Sequence, residues 1–429
     1  MTPGCARLAA PPIPFTAGFA LLLLITGGCA ALSSHPAQPA QSEFTGSPYT
    51  DLETLKAGEI VYLPTGRPLT DAEVAELAVH DRVIYIGEMH TNMEHHRVQL
   101  AVIEALANRL PGKIAVGMEM LERPSQPQLD RWGRGELDPK AFKQLWYDNW
   151  SEDYGYYQPI LEFIRAQKIP LIALNASDDE VQTVRKEGLA GLSEQERAWL
   201  GPIDEHDPYQ RKAMQAIYHG HGGGHANGGA SGFERFYQGM LLWDETMAAS
   251  AADYLKSPAG RDKTLIILAG GFHVAYGYGI PKRLFRRLPE PYLIILPYTP
   301  EALVPEEYRM NVTSPELPLY LADVVWATGY SEPKITRAHL GVQLAPGRLT
   351  SPPSTQSQAG SGAAVLTVES GSPADKAGIK PGDRILSING HDVHSAFELV
   401  EQIRLIDPGE RASLTLDRAG RKIDITVQF

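Results

Sequence analysis

Only two cysteines occur in the 429 residues, Cys5 and Cys29, so neither a disulfide framework nor a cysteine-built zinc site is available. Positive charge is scarce too: 39 Lys and Arg stand against 51 Asp and Glu, a formal net charge of −12. A nucleic-acid partner calls for a basic surface that displaces phosphate counterions, and this balance speaks against one. Long hydrophobic runs are also lacking. The apolar stretch from Phe15 to Ile25 falls short of the roughly 20 residues that cross a bilayer, and no later segment approaches that length. What remains is ordinary globular material, 43% apolar and 21% charged, which excludes wholesale disorder. At about 150 residues per domain, the length suggests two or three domains.

Arg7 followed by Phe15–Ile25 suits a signal-peptide core. The stretch closes in Leu24-Ile25-Thr26-Gly27-Gly28-Cys29, which resembles a bacterial lipobox. That resemblance implies a signal peptide over 1–28, lipidation at Cys29, and a bacterial-envelope lipoprotein held to the membrane by its lipid. With Ala30 rather than Asp behind the cysteine, the outer membrane facing the periplasm is expected. An ordinary secretory signal with a chance cysteine is the alternative. Residues 29–49, rich in Ala, Ser, Pro and Gln, read as a tether.

Short apolar runs then recur at 83–87, 113–118, 169–174, 264–269 and 292–296. Continuous apolar runs of this length fit strands buried on both faces of a parallel sheet. Helical patterns separate them. Thr91-x-x-Glu94 predicts a capping box opening a helix to about Arg109, and Phe236, Met240, Trp243 and Met247 form a core-facing stripe. The expected fold class is α/β: a three-layer domain with a mainly parallel sheet over 50–330, followed by a small mainly-β domain. The tract from His219 to Gly228, with His221 and His225, has no periodicity and reads as a loop.

The first run ends in Gly87-Glu88-Met89-His90, and the run at 264–269 ends in Gly270-Gly271-Phe272-His273. Both histidines are expected at the carboxyl edge of the sheet, where ligands bind. Glu119, after Gly117-Met118, adds a second carboxylate. Two carboxylates and two histidines converging from three strand ends read as a functional constellation. Three protein ligands and an open position would activate water, so Glu88, His90, Glu119 and His273 are candidate catalytic groups and candidate ligands for a divalent metal such as zinc or manganese.

The stretch Ile86-Gly87-Glu88-Met89-His90-Thr91-Asn92-x-x-His95-His96-x-x-Gln99 resembles the ChaN family of haem-binding lipoproteins. So do Trp150-x-x-x-Tyr154-x-x-Tyr157, Gln238-x-x-x-x-Trp243-Asp244 and Ala269-Gly270-Gly271-Phe272-His273. The resemblance implies haem binding, a role in haem or iron acquisition, and haem-bridged homodimers. The candidate axial ligands are Tyr154, Tyr157, His95 and His96. ChaN proteins are grouped with Tiki/TraB proteins, whose paired Gly-x-x-His motifs are implicated in metalloprotease activity, and they are similar to erythromycin esterases. A metal-dependent hydrolase is therefore the second reading, behind haem binding.

After Pro333 the pattern changes. Leu340-Gly341-Val342-Gln343-Leu344, a Ser/Pro/Gly-rich insertion at 350–363, Gly371-Ser372-Pro373-Ala374 and Pro381-Gly382-Asp383 through Asn389-Gly390 follow in turn. Residues 335–429 resemble a bacterial PDZ domain of the Deg/HtrA kind, without any accompanying protease domain. The resemblance implies capture of peptide or protein C-termini, with the backbone of Leu340, Gly341 and Val342 holding the carboxylate. A non-catalytic PDZ scaffold is the third reading.

Overall fold

The structure, a computed structural model, describes residues 51–220, 229–309, 312, 315–333, 337–345 and 362–429. The expected signal peptide, the tether, Cys29, His221 and His225 lie outside them, as does most of the 350–363 insertion; His219 closes the helix Pro208–Gly220.

Eight strands form the large sheet: β1 (Ile60–Tyr62), β2 (Arg67–Pro68), β3 (Val83–Glu88), β4 (Ile114–Glu122), β5 (Leu171–Asn175), β6 (Thr264–Gly270), β7 (Tyr292–Tyr298) and β8 (Val324–Ala327). Their order is β2-β1-β8-β7-β3-β6-β4-β5. Neighbours from β8 to β5 pair parallel, and β1 and β2 add an antiparallel margin. The α/β class expected from the sequence is what the chain adopts. Six helices bear on the site: α1 (Met93–Arg109), α2 (Pro139–Asn149), α3 (Tyr154–Ala166), α4 (Gly229–Lys256), α5 (Ile280–Arg287) and α6 (Ala396–Arg404).

Alternation within each strand divides the core into two layers. Ile84, Ile86, Val116, Met118 and Leu268 pack with Val102 and Leu106 of α1 and with Ile160 of α3. Val83, Tyr85, Ala115, Ile267 and Ala269 pack with Met247 and Ala251 of α4 and with Leu284 of α5. The sheet is thus covered on both faces, which is why its strands are apolar throughout.

Local details depart from the sequence reading. β4 continues to Glu122, beyond the apolar run ending at Met118, because Met120 and Leu121 stay buried around the charged Glu119. α1 starts at Met93 with Asn92 as its cap, not with a Thr91 capping box. Asn92 is held there by the tertiary structure: its amide donates to Thr299 Oγ1 at 2.9 Å and to the Gly329 carbonyl at 3.0 Å. Gly87 lies inside β3, where a Cβ would come within 2.4 Å of Leu296, so close packing demands the glycine.

The second sheet runs β14-β13-β11-β10-β9, with β12 paired to β11. Its strands are β9 (Val342–Leu344), β10 (Ala363–Val368), β11 (Arg384–Ile388), β12 (His391–Asp392), β13 (Arg411–Arg418) and β14 (Arg421–Gln428). Ile385, Leu399, Leu414 and Val427 belong to a core of its own. Asn389 and Gly390 both have positive φ, 50° and 82°, the backbone that joins β11 and β12 tightly.

Candidate functional site

β6 lies between β3 and β4, so the ends of three adjacent strands meet at the carboxyl edge. Glu88 follows Ile84 and Ile86 onto the α1–α3 face. Its side chain is 0% exposed. Tyr157 of α3 donates its hydroxyl to Oε1, and the Gln99 amide of α1 donates to Oε2 at 2.6 Å. His90 Nδ1 stands 2.7 Å from Oε1, and His96 Nδ1 lies 3.5 Å from Oε2. Glu119, in phase with Ala115, leaves β4 on the opposite face. It accepts the Gly270 N–H at 2.6 Å and lies 3.4 Å from His273 Nε2. The other nitrogen of His273 is 2.7 Å from Asp244 Oδ1 on α4. Behind it, Gln210 donates to Asp244 at 2.6 Å and accepts from the buried Arg283 at 2.9 Å.

Gly270 lets the two halves approach. A Cβ there would sit 3.1 Å from the His90 ring and 3.5 Å from Glu119 Oε2. His90 is the opening of the network, with 34% of its side chain exposed and its ring edge-on to Trp150 at 5.0 Å. The Trp150 Nε1–H beside it is buried without a hydrogen-bond partner among the described residues.

Electrostatics lock these pairs. Burial would raise the Glu88 carboxyl, but the charges and hydrogen bonds of His96 and His90 hold it down to about 2. Burial would lower His90 and His273; the carboxylates of Glu88, Glu119 and Asp244 instead lift them to about 9 and about 10. These pairs favour imidazolium on both rings at neutral pH, which makes each ring a hydrogen-bond donor to its carboxylates. Glu88, His90, Glu119 and His273 do converge, but as ion pairs whose nitrogens point at carboxylates, not as a ligand set around an open position. No group of His, Cys, Asp or Glu among the described residues is arranged to hold a metal ion.

The four expected haem ligands separate sharply. His95 accepts the Met89 N–H at 2.9 Å through Nδ1 and meets Thr299 Oγ1 at 2.9 Å through Nε2; burial and the charge of His96 push it down to about 3, so it is neutral. His96 is enclosed, with Nε2 on the His90 carbonyl and Nδ1 on Gln99 Oε1, each at 3.0 Å. Tyr157 is fully buried on Glu88. Tyr154, at the first turn of α3, lines a cavity instead.

Sequence reasoning did not single out Gln99, Gln210, Asp244 or Arg283 as site residues. Asp244 had a usable signal: it interrupts the apolar run Leu241-Leu242-Trp243 on a helix, where a charge needs a buried partner.

Residues 74–284 match the family described as haem-binding uptake, Tiki superfamily, ChaN, and residues 338–429 match the PDZ domain. The large domain belongs to the ChaN family, and the small one is a PDZ domain. A probable periplasmic DegP-like serine endoprotease of Hahella chejuensis is 43% identical over 68 residues, 16% of this chain and 14% of that protein. The chloroplastic protein RETICULATA-RELATED 5 of Arabidopsis thaliana is 23% identical over 275 residues, 59% of this chain and 35% of that protein. The chain thus spans well under half of either relative. Among solved structures, ChaN of Campylobacter jejuni with cofacially bound haem is similar at 16% identity and a TM-score of 0.47, over 62% of this chain and 95% of that one.

The Tyr154 cavity measures about 500 Å³ and lies where the ChaN-like domain meets the PDZ domain. Lys143, Tyr147 and Gln158 line it from one side, and Arg337, Leu344 and Val400 from the other. Lys143 Nζ pairs with Asp407 at 2.8 Å, Arg337 with Asp153 at 3.0 Å, and the Arg404 guanidinium sits 5.6 Å above the Tyr147 ring. In the PDZ domain Leu340 is buried in the core, so only its backbone could meet a ligand. Gly341 has φ +77°, and a Cβ there would lie 2.2 Å from Ser372.

Proposed function

We propose that this chain is an envelope lipoprotein that binds haem through its ChaN-like domain, in haem or iron acquisition, and captures peptide C-termini through its PDZ domain. The observation that carries the haem reading is the contrast among the four candidate ligands. His95, His96 and Tyr157 already spend their polar atoms inside a buried network, whereas Tyr154 borders a cavity; its lining cations Lys143 and Arg337 pair with Asp407 and Asp153 and would have to exchange those partners for a carboxylate-bearing ligand. These residues fit haem: an aromatic wall, an oxygen ligand and cations. Burial pushes the Tyr154 hydroxyl up to about 12, and bound ferric iron would supply the positive charge that favours the phenolate.

The test is a haem titration of the full chain followed by its absorption spectrum. Tyr154→Phe should remove the ligand-dependent bands, while His95→Ala, His96→Ala and Tyr157→Phe should keep them in any variant that folds. An unchanged Tyr154→Phe spectrum overturns the assignment. Haem-bridged dimers belong to the same reading and would appear as haem-dependent sedimentation. Lipidation at Cys29 is tested by fractionation: Cys29→Ala should move the protein from membrane to soluble periplasm.

The hydrolase reading has less support. His90 is placed to donate a proton to a ligand beside Trp150, but its carboxylate partner Glu88 is already held by Tyr157 and Gln99.

A further inference from the structure

Among the described residues β9 ends its sheet, and no strand pairs with its outer edge, where a strand could be added. At its head, the N–H groups of Leu340 and Gly341 donate to no acceptor among the described residues. Leu399, Val400 and Ile403 of α6 supply an apolar wall beside that edge. These are the parts of a carboxylate-terminated peptide groove. In this chain, however, the groove opens onto the large domain: the same cavity is closed by Tyr147 on α2 and by Tyr154 and Gln158 on α3. Its 500 Å³ falls within the roughly 300–1,000 Å³ of ligand pockets. The Lys143–Asp407 and Arg337–Asp153 pairs cross from one domain to the other around it.

We propose that the peptide site is shared between the domains. The PDZ groove supplies the edge strand, the amides and an apolar pocket, while Tyr147, Tyr154 and Gln158 form the opposite wall and take part in selecting the peptide. The occupant is a peptide C-terminus with a free carboxylate and an apolar last side chain, since free amides and aliphatic and aromatic surface are what the cavity offers. The proposal rests on the PDZ half of the functional reading and does not need haem. It does imply that whatever binds at Tyr154 shares a cavity with the peptide.

Gln158 provides a test from outside the PDZ domain, because it is exposed on α3 and, among the described residues, its amide bonds only Glu162, at 2.7 Å. A labelled peptide ending in a free valine carboxylate, and its amide, would be titrated by fluorescence polarisation into the haem-free full chain. Gln158→Trp fills the cavity from the large domain and should weaken the acid peptide by about fivefold or more, roughly 1 kcal/mol. Tyr147→Ala, which removes part of the wall, should also weaken it several-fold; thermal melts would establish that both variants fold. Wild-type affinity in both variants, or tighter binding, would mean that the groove works without the large domain and would overturn the proposal while leaving the PDZ reading intact. Equal binding of acid and amide by the wild type would instead sink the carboxylate reading, and the shared site with it.

Discussion

Two regions of the large domain hold the residues that matter, and they differ in how far their polar groups are already satisfied. At the carboxyl edge of the sheet, Glu88, Glu119, Asp244 and His273 are buried and paired, with Gln99, Gln210 and Arg283 completing the bonds. At the α2–α3 edge, Tyr154 and Tyr147 face a cavity. The first region is rich in residue types that do chemistry, yet it has used them on itself; the second has modest chemistry but room for a ligand. Residue type marks where charge is concentrated, while an unspent polar atom beside open volume marks where a ligand can go.

The sharpest way to break this contrast is to remove a member of the sealed network. Taking one partner from a buried ion pair leaves an uncompensated charge, a loss of about 3–5 kcal/mol. His273→Ala should therefore lower the urea midpoint strongly, and His90→Ala, with a third of its side chain in water, should lower it less. Equal, small losses would show that the network is not the structural element described here. Next comes Tyr154→Phe, which should weaken haem by about a hundredfold, near 2.7 kcal/mol, with little change in the urea midpoint.

The pH dependence follows from the raised histidines and the lowered carboxylate. Above about pH 6.5 the unfolded chain sheds protons that folded His273 and His90 keep until about 10 and about 9, so the contribution of these two histidines is full below 6.5 and is lost as pH rises through that window. Glu88 acts in the opposite direction: its contribution is full above about 4.5 and is lost as pH falls towards 2. Each limb should amount to about 1–2 kcal/mol, with His273 and Glu88 contributing most because water screens His90. Urea midpoints across pH check this, and His273→Gln should flatten the alkaline limb. The smallest effect is expected at the domain junction, where Lys143→Ala removes a partly exposed pair with Asp407 and should change stability by less than about 1 kcal/mol.

Much of this architecture is legible in the residues. The strand Val83–Glu88 forms on the apolar run 83–87, and Asn389-Gly390 takes the left-handed backbone that such residues favour, because apolar runs and turn residues act over a few neighbours. The convergence of Glu88, His90, Glu119 and His273 is legible too, since each stands near the carboxyl end of a strand in one parallel sheet. Gly87 and Asn92 are less so: Leu296 excludes a side chain from the first, and Thr299 and Gly329 hold the second, all from distant parts of the chain.

The sequence by itself determined the periods: buried strands alternating with helices, a second β domain after Pro333, and which faces of the strands carry the carboxylates. Those properties depend on spacing between near neighbours, so the order of residues specifies them. Tertiary structure decided the partners. Tyr157 finds Glu88 from 69 residues away, Gly270 finds Glu119 from 151, and Thr299 finds His95 from 204. Which of two tyrosines three residues apart is spent on a carboxylate and which faces a cavity depends on helix rotation and domain packing. That choice follows from burial and volume, quantities that exist only once distant segments have been brought together.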